Sequence, residues 1–113
     1  MKQIKAVIRP EKLQEVLSSL EKVGYNGIMI TEIEGHGTQK GITHQWRGEK
    51  YRLDLVPKIM IDIVVKDSAV EIIKKAIIQS ARLGEVGDGK IFVYNVEEVT
   101  RIRTGETNDA ALG

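Results

Sequence analysis

From Ile4 to Ile8 apolar residues alternate with others, and Arg9-Pro10 stops the ladder because proline has no N–H to donate. This predicts a first strand. Leu13, Val16, Leu17, Leu20 and Val23 then recur at the three- and four-residue steps that line one face of a helix, closed by Gly24. Ile28 to Glu34 alternates again, with Met29, Thr31 and Ile33 on one side and Ile28 and Ile30 on the other, and this second strand ends in Gly35. Residues 36–55 hold Gly37, Gly41 and Gly48 among polar neighbours, and no period runs through them, which predicts a long functional loop. Lys58 to Val65 resumes as a strand with Ile59, Ile61, Ile63 and Val65 on a core face and Lys58, Met60, Asp62 and Val64 opposite. Ser68-x-x-Glu71 reads as a capping box ahead of the stripe Val70, Ile73, Ala76, Ile77 and Ala81, a helix that gives way near Gly84. Lys90 to Val96 is β-branched and aromatic, a last major strand, and Val99 to Arg103 reads as a short extension.

The order is strand, helix, strand, strand, helix, strand: an α+β, ferredoxin-like βαββαβ pattern with a long loop between the middle strands. That fold hosts unrelated functions and decides nothing about activity. The 113 residues are read as one domain, 42% hydrophobic. A chain of this size buries about two-thirds of its unfolded surface, so subunit association would add useful burial. Seventeen basic and sixteen acidic residues give a net charge of +1, which removes the broad electrostatic case for a nucleic-acid binder. Any anion site must be local. No cysteine excludes disulfides and thiolate chemistry, and neither a signal-peptide core nor a membrane-length apolar run is present, so a cytoplasmic protein is expected.

Three stretches suit an anion. Gly87-Asp88-Gly89-Lys90 is a glycine-flanked turn closed by a lysine, where backbone N–H groups and an ammonium suit phosphate oxygens; an ordinary tight turn is the alternative. Arg101 and Arg103, two apart in an extended segment, would point the same way, either as a polyphosphate clamp or as a solvated basic edge. Gly35-His36-Gly37-Thr38-Gln39-Lys40-Gly41 leaves a strand with glycine spacing but lacks the P-loop pattern. Lys58, opposite the core face, meets either solvent or an anion. Two histidines in the loop, no zinc-ligand spacing and no nucleophile elbow leave catalysis without obvious residues. Trp46 to Tyr51 places a tryptophan, Arg47 and a tyrosine at the loop tip, residue types that anchor interfaces; the alternative is that Trp46 and Tyr51 fold back onto the domain.

Lys5-Ala6-Val7-Ile8-Arg9-Pro10, Gln39-Lys40-Gly41, Arg47-Gly48 with Tyr51, Asp54 with Pro57-Lys58, Gly87 to Val93, and Arg101 to Glu106 together resemble the P-II nitrogen-regulatory family. The likeness runs from Met1 to about Ala111. It implies a non-enzymatic sensor of nitrogen, carbon and energy status: a homotrimer with ATP or ADP in clefts between subunits and 2-oxoglutarate bound beside ATP through Mg2+. For the nucleotide it implies Met29, Gly35, Gly37, Thr38, Gln39, Lys58, Asp62, Val64, Gly87, Asp88, Gly89, Lys90, Arg101 and Arg103, with Lys90, Arg101 and Arg103 on the phosphates. For 2-oxoglutarate it implies Gly37, Gln39, Lys40, Gly41 and Lys58, with Gln39 as the metal ligand. Within the domain it implies residues 36–55 as a partner-binding loop, 82–90 as a nucleotide turn and 101–113 as a C-terminal loop. Implied partners are an ammonium transporter, entered by Arg47, and nitrogen-metabolism enzymes, with Tyr51 at the family's nucleotidylylation position. The membrane is reached only through the transporter.

The chain departs from the family pattern at several positions. Thr38 replaces a common arginine, Met29 a common threonine near adenine, and Leu83 a usual Ser or Thr; Glu49 removes a serine phosphorylated in some relatives; Trp46 and Lys50 alter the surroundings of Tyr51. Other readings of the fold are a small magnesium-dependent nucleotide hydrolase, which lacks a base, and a nucleic-acid module, for which Phe92 and Tyr94 supply few aromatics.

Overall fold

The computed structural model describes residues 1–36, 43–46, 49–52 and 55–112, with residues 36, 43–46, 49–52 and 55 described by their backbone alone. Its elements are β1 (Lys2–Ile8), α1 (Leu13–Lys22), β2 (Met29–His36), β3 (Thr43–Trp46), β4 (Glu49–Arg52), β5 (Leu55–Val65), α2 (Val70–Ala81) and β6 (Lys90–Asn95), with short 3-10 turns at Pro10–Lys12, Asp67–Ala69 and Asn108–Ala111.

Four strands form one antiparallel sheet in the order β2-β5-β1-β6. Both β1 and β2 run antiparallel to β5, so they are parallel to each other with β5 inserted between them, the split βαβ arrangement of a ferredoxin-like α+β fold. Period-two burial explains why the helices cover one face only. Ile4, Ala6 and Ile8 of β1 and Ile59, Ile61, Ile63 and Val65 of β5 are buried against Val16 and Leu20 of α1 and Ile73, Ala76, Ile77 and Ala81 of α2. Each full burial of such an aliphatic chain contributes about 1.5–3 kcal/mol against the entropy of ordering it.

The opposite face of the sheet carries Gln3, Lys5, Asp62, Met29, Phe92 and Tyr94. Cross-strand register puts Met29 and Lys5 on either side of Asp62, and Phe92 next to Lys5. Asp62 is buried, and its Oδ1 accepts a 2.7 Å hydrogen bond from Gln3 Nε2. The Lys5 ammonium stands 5.5 Å from the Tyr94 ring centre, within cation-π range. Met29, Phe92 and Tyr94 are 62%, 41% and 45% exposed, a large apolar outlay for a surface facing water.

The structure departs from the sequence pattern in four places. Two strands, β3 and β4, lie within the stretch read as aperiodic, paired from Thr43↔Arg52 to Trp46↔Glu49. Backbone pairing builds this hairpin from polar residues, which is why no apolar period announces it. β5 begins at Leu55, three residues before its expected start, and pairs with β2 as far as His36. The capping box does not form: the 3-10 turn Asp67–Ala69 leads into α2, no side chain caps the helix, and Glu71 instead pairs with Lys74 at 3.4 Å. Val99 to Arg103 is not a strand of the sheet; an isolated bridge joins Thr100 to Thr107 around a tight turn. Among the described residues no helix is long and apolar enough to cross a membrane.

Candidate nucleotide site

The turn between α2 and β6 is fixed at three points. At its exit Gly89 adopts φ +97°, and a Cβ there would sit 1.7 Å from the carbonyl oxygen of Val7, so only glycine lets the turn lie against β1. At its centre Gly87 adopts φ +103°. Across its mouth the Asp88 carboxylate accepts hydrogen bonds from the N–H groups of Leu83 at 3.0 Å and Gly84 at 2.8 Å, and pairs with the Arg9 guanidinium. Burial raises the Asp88 carboxyl, but the two N–H groups and Arg9 outweigh it and hold it down to about 2.

Asp88 therefore satisfies the N–H groups of Leu83 and Gly84, ahead of the Gly87-Asp88-Gly89-Lys90 motif. It is the turn's internal anion. Two cations face the turn from the neighbouring strands. Arg9, at the end of β1, also donates to the Val86 carbonyl at 3.0 Å, and Lys58 on β5 donates to the Gly87 carbonyl. A Cβ on Gly87 would lie 3.1 Å from Arg9 Nη2 and 3.7 Å from Lys58 Nζ, so both cations converge on one peptide. Arg9 is neutralised by Asp88; among the described residues, Lys58 and Lys90 have no carboxylate within ion-pair distance. Uncompensated positive charge thus collects where the turn enters β6. Arg82, Lys90 and Asp88 also border a cavity of about 290 Å³ floored by Ile77, Ile78 and Ile91.

Lys58 borders a second cavity, of about 460 Å³, with Pro10, Pro57, Glu32 and Glu34. Those two carboxylates make that side of Lys58 unfavourable for a dicarboxylate, whereas the Gly87 side has Arg9 beside it. Gly35, on β2, packs close to the stem of Lys58: a Cβ there would meet Lys58 Cγ at 3.5 Å.

The remaining sequence candidates lie elsewhere. Met29, Asp62 and Val64 are on the open sheet face, and Lys58 is six residues from Val64 along one strand, roughly 20 Å at strand rise. The chain leaves β6 at Asn95, which pairs with Lys2, at the sheet end opposite Lys90. Arg101 pairs with Glu106 at 2.9 Å within its own turn, and Arg103 is exposed just beyond. The extended geometry that was to aim both guanidinium groups one way is absent, because the backbone turns over residues 102–104. No strand pairing carries this segment back to Lys90. Gly37, Thr38, Gln39, Lys40, Gly41 and Arg47 lie outside the described residues; Tyr51 is in β4, paired with His44.

Sequence reasoning gave Arg9 no site role, reading it as part of a strand stop and of the Lys5 to Pro10 segment. Its partner Asp88 is 79 residues away, and no local pattern links them. The one available signal is a charged residue ending an otherwise core-facing strand.

The chain thus combines a ferredoxin-like sheet, a glycine turn with cations from β1 and β5 beside it, and a hairpin-bearing excursion between β2 and β5. The family model described as Nitrogen regulatory protein P-II matches residues 1–106, and the chain belongs to that family. It is 52% identical to Nitrogen regulatory protein P-II 2 of Methanothermobacter thermautotrophicus over 112 residues, covering 99% of this chain and 97% of that protein. Nitrogen regulatory protein P-II of Pasteurella multocida is 50% identical, and Nitrogen regulatory protein P-II 1 of Escherichia coli K12 is 49% identical, each over 99% of this chain and the whole of the relative.

Proposed function

We propose that this protein is a trimeric regulator that binds ATP or ADP and 2-oxoglutarate and acts on partner proteins through the excursion at 36–55, by binding rather than by catalysis. Membership in a family of nitrogen-regulatory proteins supports the signalling role. The observation that carries the nucleotide reading is the turn at 84–90, with Lys58 and Lys90 beside it and without a carboxylate partner among the described residues. Phosphate oxygens are the ligand class such a turn suits.

A trimer reconciles the geometry with the wider residue set. Within one chain, Lys90 and the segment carrying Arg101 and Arg103 leave opposite ends of β6, so a second copy is the economical way to bring both to one nucleotide. The exposed Met29, Phe92 and Tyr94 supply the apolar surface that association would cover. Among the described residues no three His, Cys, Asp or Glu side chains converge to hold an ion. Magnesium would then rest mainly on phosphate and 2-oxoglutarate oxygens, with the amide oxygen of Gln39 added, which suits a hard cation that keeps few protein ligands. Lys58 would pair with an effector carboxylate by giving up the Gly87 carbonyl. The regulated partner in this reading is an ammonium transporter met by Arg47, and the compartment is the cytoplasm.

Calorimetry on the intact protein, with its mass in solution measured alongside, tests this. Saturable binding of ATP or ADP by a trimer is expected; no heat with either nucleotide would remove the reading. With Mg-ATP present, Gln39→Ala should lose 2-oxoglutarate binding while ATP binding persists.

A further inference from the structure

The cation that shapes the phosphate turn is one that never needs to touch phosphate. We propose that Arg9 is the positioning residue of this turn: from the end of β1 its guanidinium fixes Val86 and Asp88 on either side of Gly87, and so sets where the Gly87 peptide and Lys90 meet a bound polyphosphate. The inference rests on the nucleotide reading of the turn and adds the residue that enforces its shape.

Three observations carry it. First, the contacts are a fork. Nη2 donates to the Val86 carbonyl at 3.0 Å and Nη1 pairs with the Asp88 carboxylate, so one rigid plane holds two points two residues apart. A lysine, with a single compact charge, cannot span them in that way. Second, the hold propagates. Asp88 binds the N–H groups of Leu83 and Gly84, so the guanidinium organises the backbone from 83 to 88 through one carboxylate. Third, Arg9 is well placed to be rigid. Its side chain is only 13% exposed, its backbone is followed by Pro10, and Glu11 stands 4.0 Å from Nε. Because Asp88 cancels its charge, Arg9 stands behind the turn as a brace and leaves Lys58 and Lys90 to face the anion.

The test uses the full chain carrying R9K, R9M, D88N and the R9M/D88N pair, with two readouts: amide hydrogen exchange without ligand, and ATP affinity by calorimetry. In R9M and D88N the Leu83 and Gly84 amides should lose protection while those of β1 and β5 keep theirs, and ATP affinity should fall at least tenfold. R9K should not restore either property. The double variant should bind ATP no worse than the weaker single, because both changes remove one contact. D88N attacks the same contact from the other side and answers for R9M if that variant does not fold. Wild-type ATP affinity in R9M, preserved Leu83 and Gly84 protection, full rescue by R9K, or additive losses in the double variant would each overturn the proposal. Should the wild-type protein bind neither ATP nor ADP, the nucleotide reading falls, and the exchange data alone decide whether Arg9 shapes the turn.

Discussion

Gly84 and Gly89 offer a controlled comparison at the two ends of the turn. Both have positive φ, +86° and +97°, but a Cβ on Gly84 meets nothing within 4 Å, whereas one on Gly89 falls 1.7 Å from the Val7 carbonyl oxygen and 2.8 Å from its carbon. Gly84→Ala therefore pays the backbone term alone, about 1–2 kcal/mol for an L-residue held in left-handed space. Gly89→Ala carries the same term plus the clash. A carbon and a carbonyl oxygen rest no closer than about 3.3 Å, so the strand ends must separate by roughly 1.6 Å. That opens the β1-β6 ladder where Val7 pairs with Lys90. The N–H and C=O freed by one broken ladder bond cost about 1–3 kcal/mol each, which brings the total for Gly89→Ala to roughly 3–8 kcal/mol. Thermal unfolding followed by circular dichroism, at one protein concentration because association shifts the midpoint, should lower Tm by about 4–8 °C for Gly84→Ala and by at least about 12 °C for Gly89→Ala. Equal melting points for the two variants would refute the claim that close approach to β1, rather than φ alone, demands glycine at 89.

Three further outcomes are expected. Folding lowers the Asp88 carboxyl from an ordinary 3.8 to about 2, so the stability it lends is full above about pH 4 and is lost as pH falls through 2; urea midpoints across this window should fall more steeply for wild type than for Asp88→Asn, and parallel curves would contradict the assignment. Gln3→Met removes the 2.7 Å hydrogen bond to buried Asp62 and should cost about 1–3 kcal/mol in urea unfolding, with an unchanged midpoint arguing against that pairing. Ile73→Ala empties a fully buried position on α2 and should cost about 2–5 kcal/mol, whereas Ile102→Ala, at a fully exposed position, should leave the monomer's own packing unchanged.

What was legible in the sequence is what periodicity encodes. The alternation of Ile59, Ile61, Ile63 and Val65, and the helical spacing of Val16 and Leu20 or Ile73 and Ile77, each name a face that needs a partner layer, and the structure buries all eight. The hairpin escaped because Thr43–Trp46 and Glu49–Arg52 are polar strands held by backbone pairing, with no apolar alternation to report them. Ser68 failed as a cap because a 3-10 turn occupies the place where a helix start was expected. At the site, the glycine pattern located the turn but did not report that Asp88 ties it back to the N–H groups of Leu83 and Gly84, which lie ahead of the motif. Arg9 could not be found from spacing, because its contact with Asp88 exists only once β1 and β6 pair.

Titration of ATP into the intact protein and into Lys90→Ala decides whether the turn at 84–90 cradles phosphate, as proposed. Saturable binding to wild type is expected, with a loss of at least tenfold in affinity for Lys90→Ala and folding unchanged. Wild-type affinity in Lys90→Ala, or no binding of ATP by either protein, would contradict it.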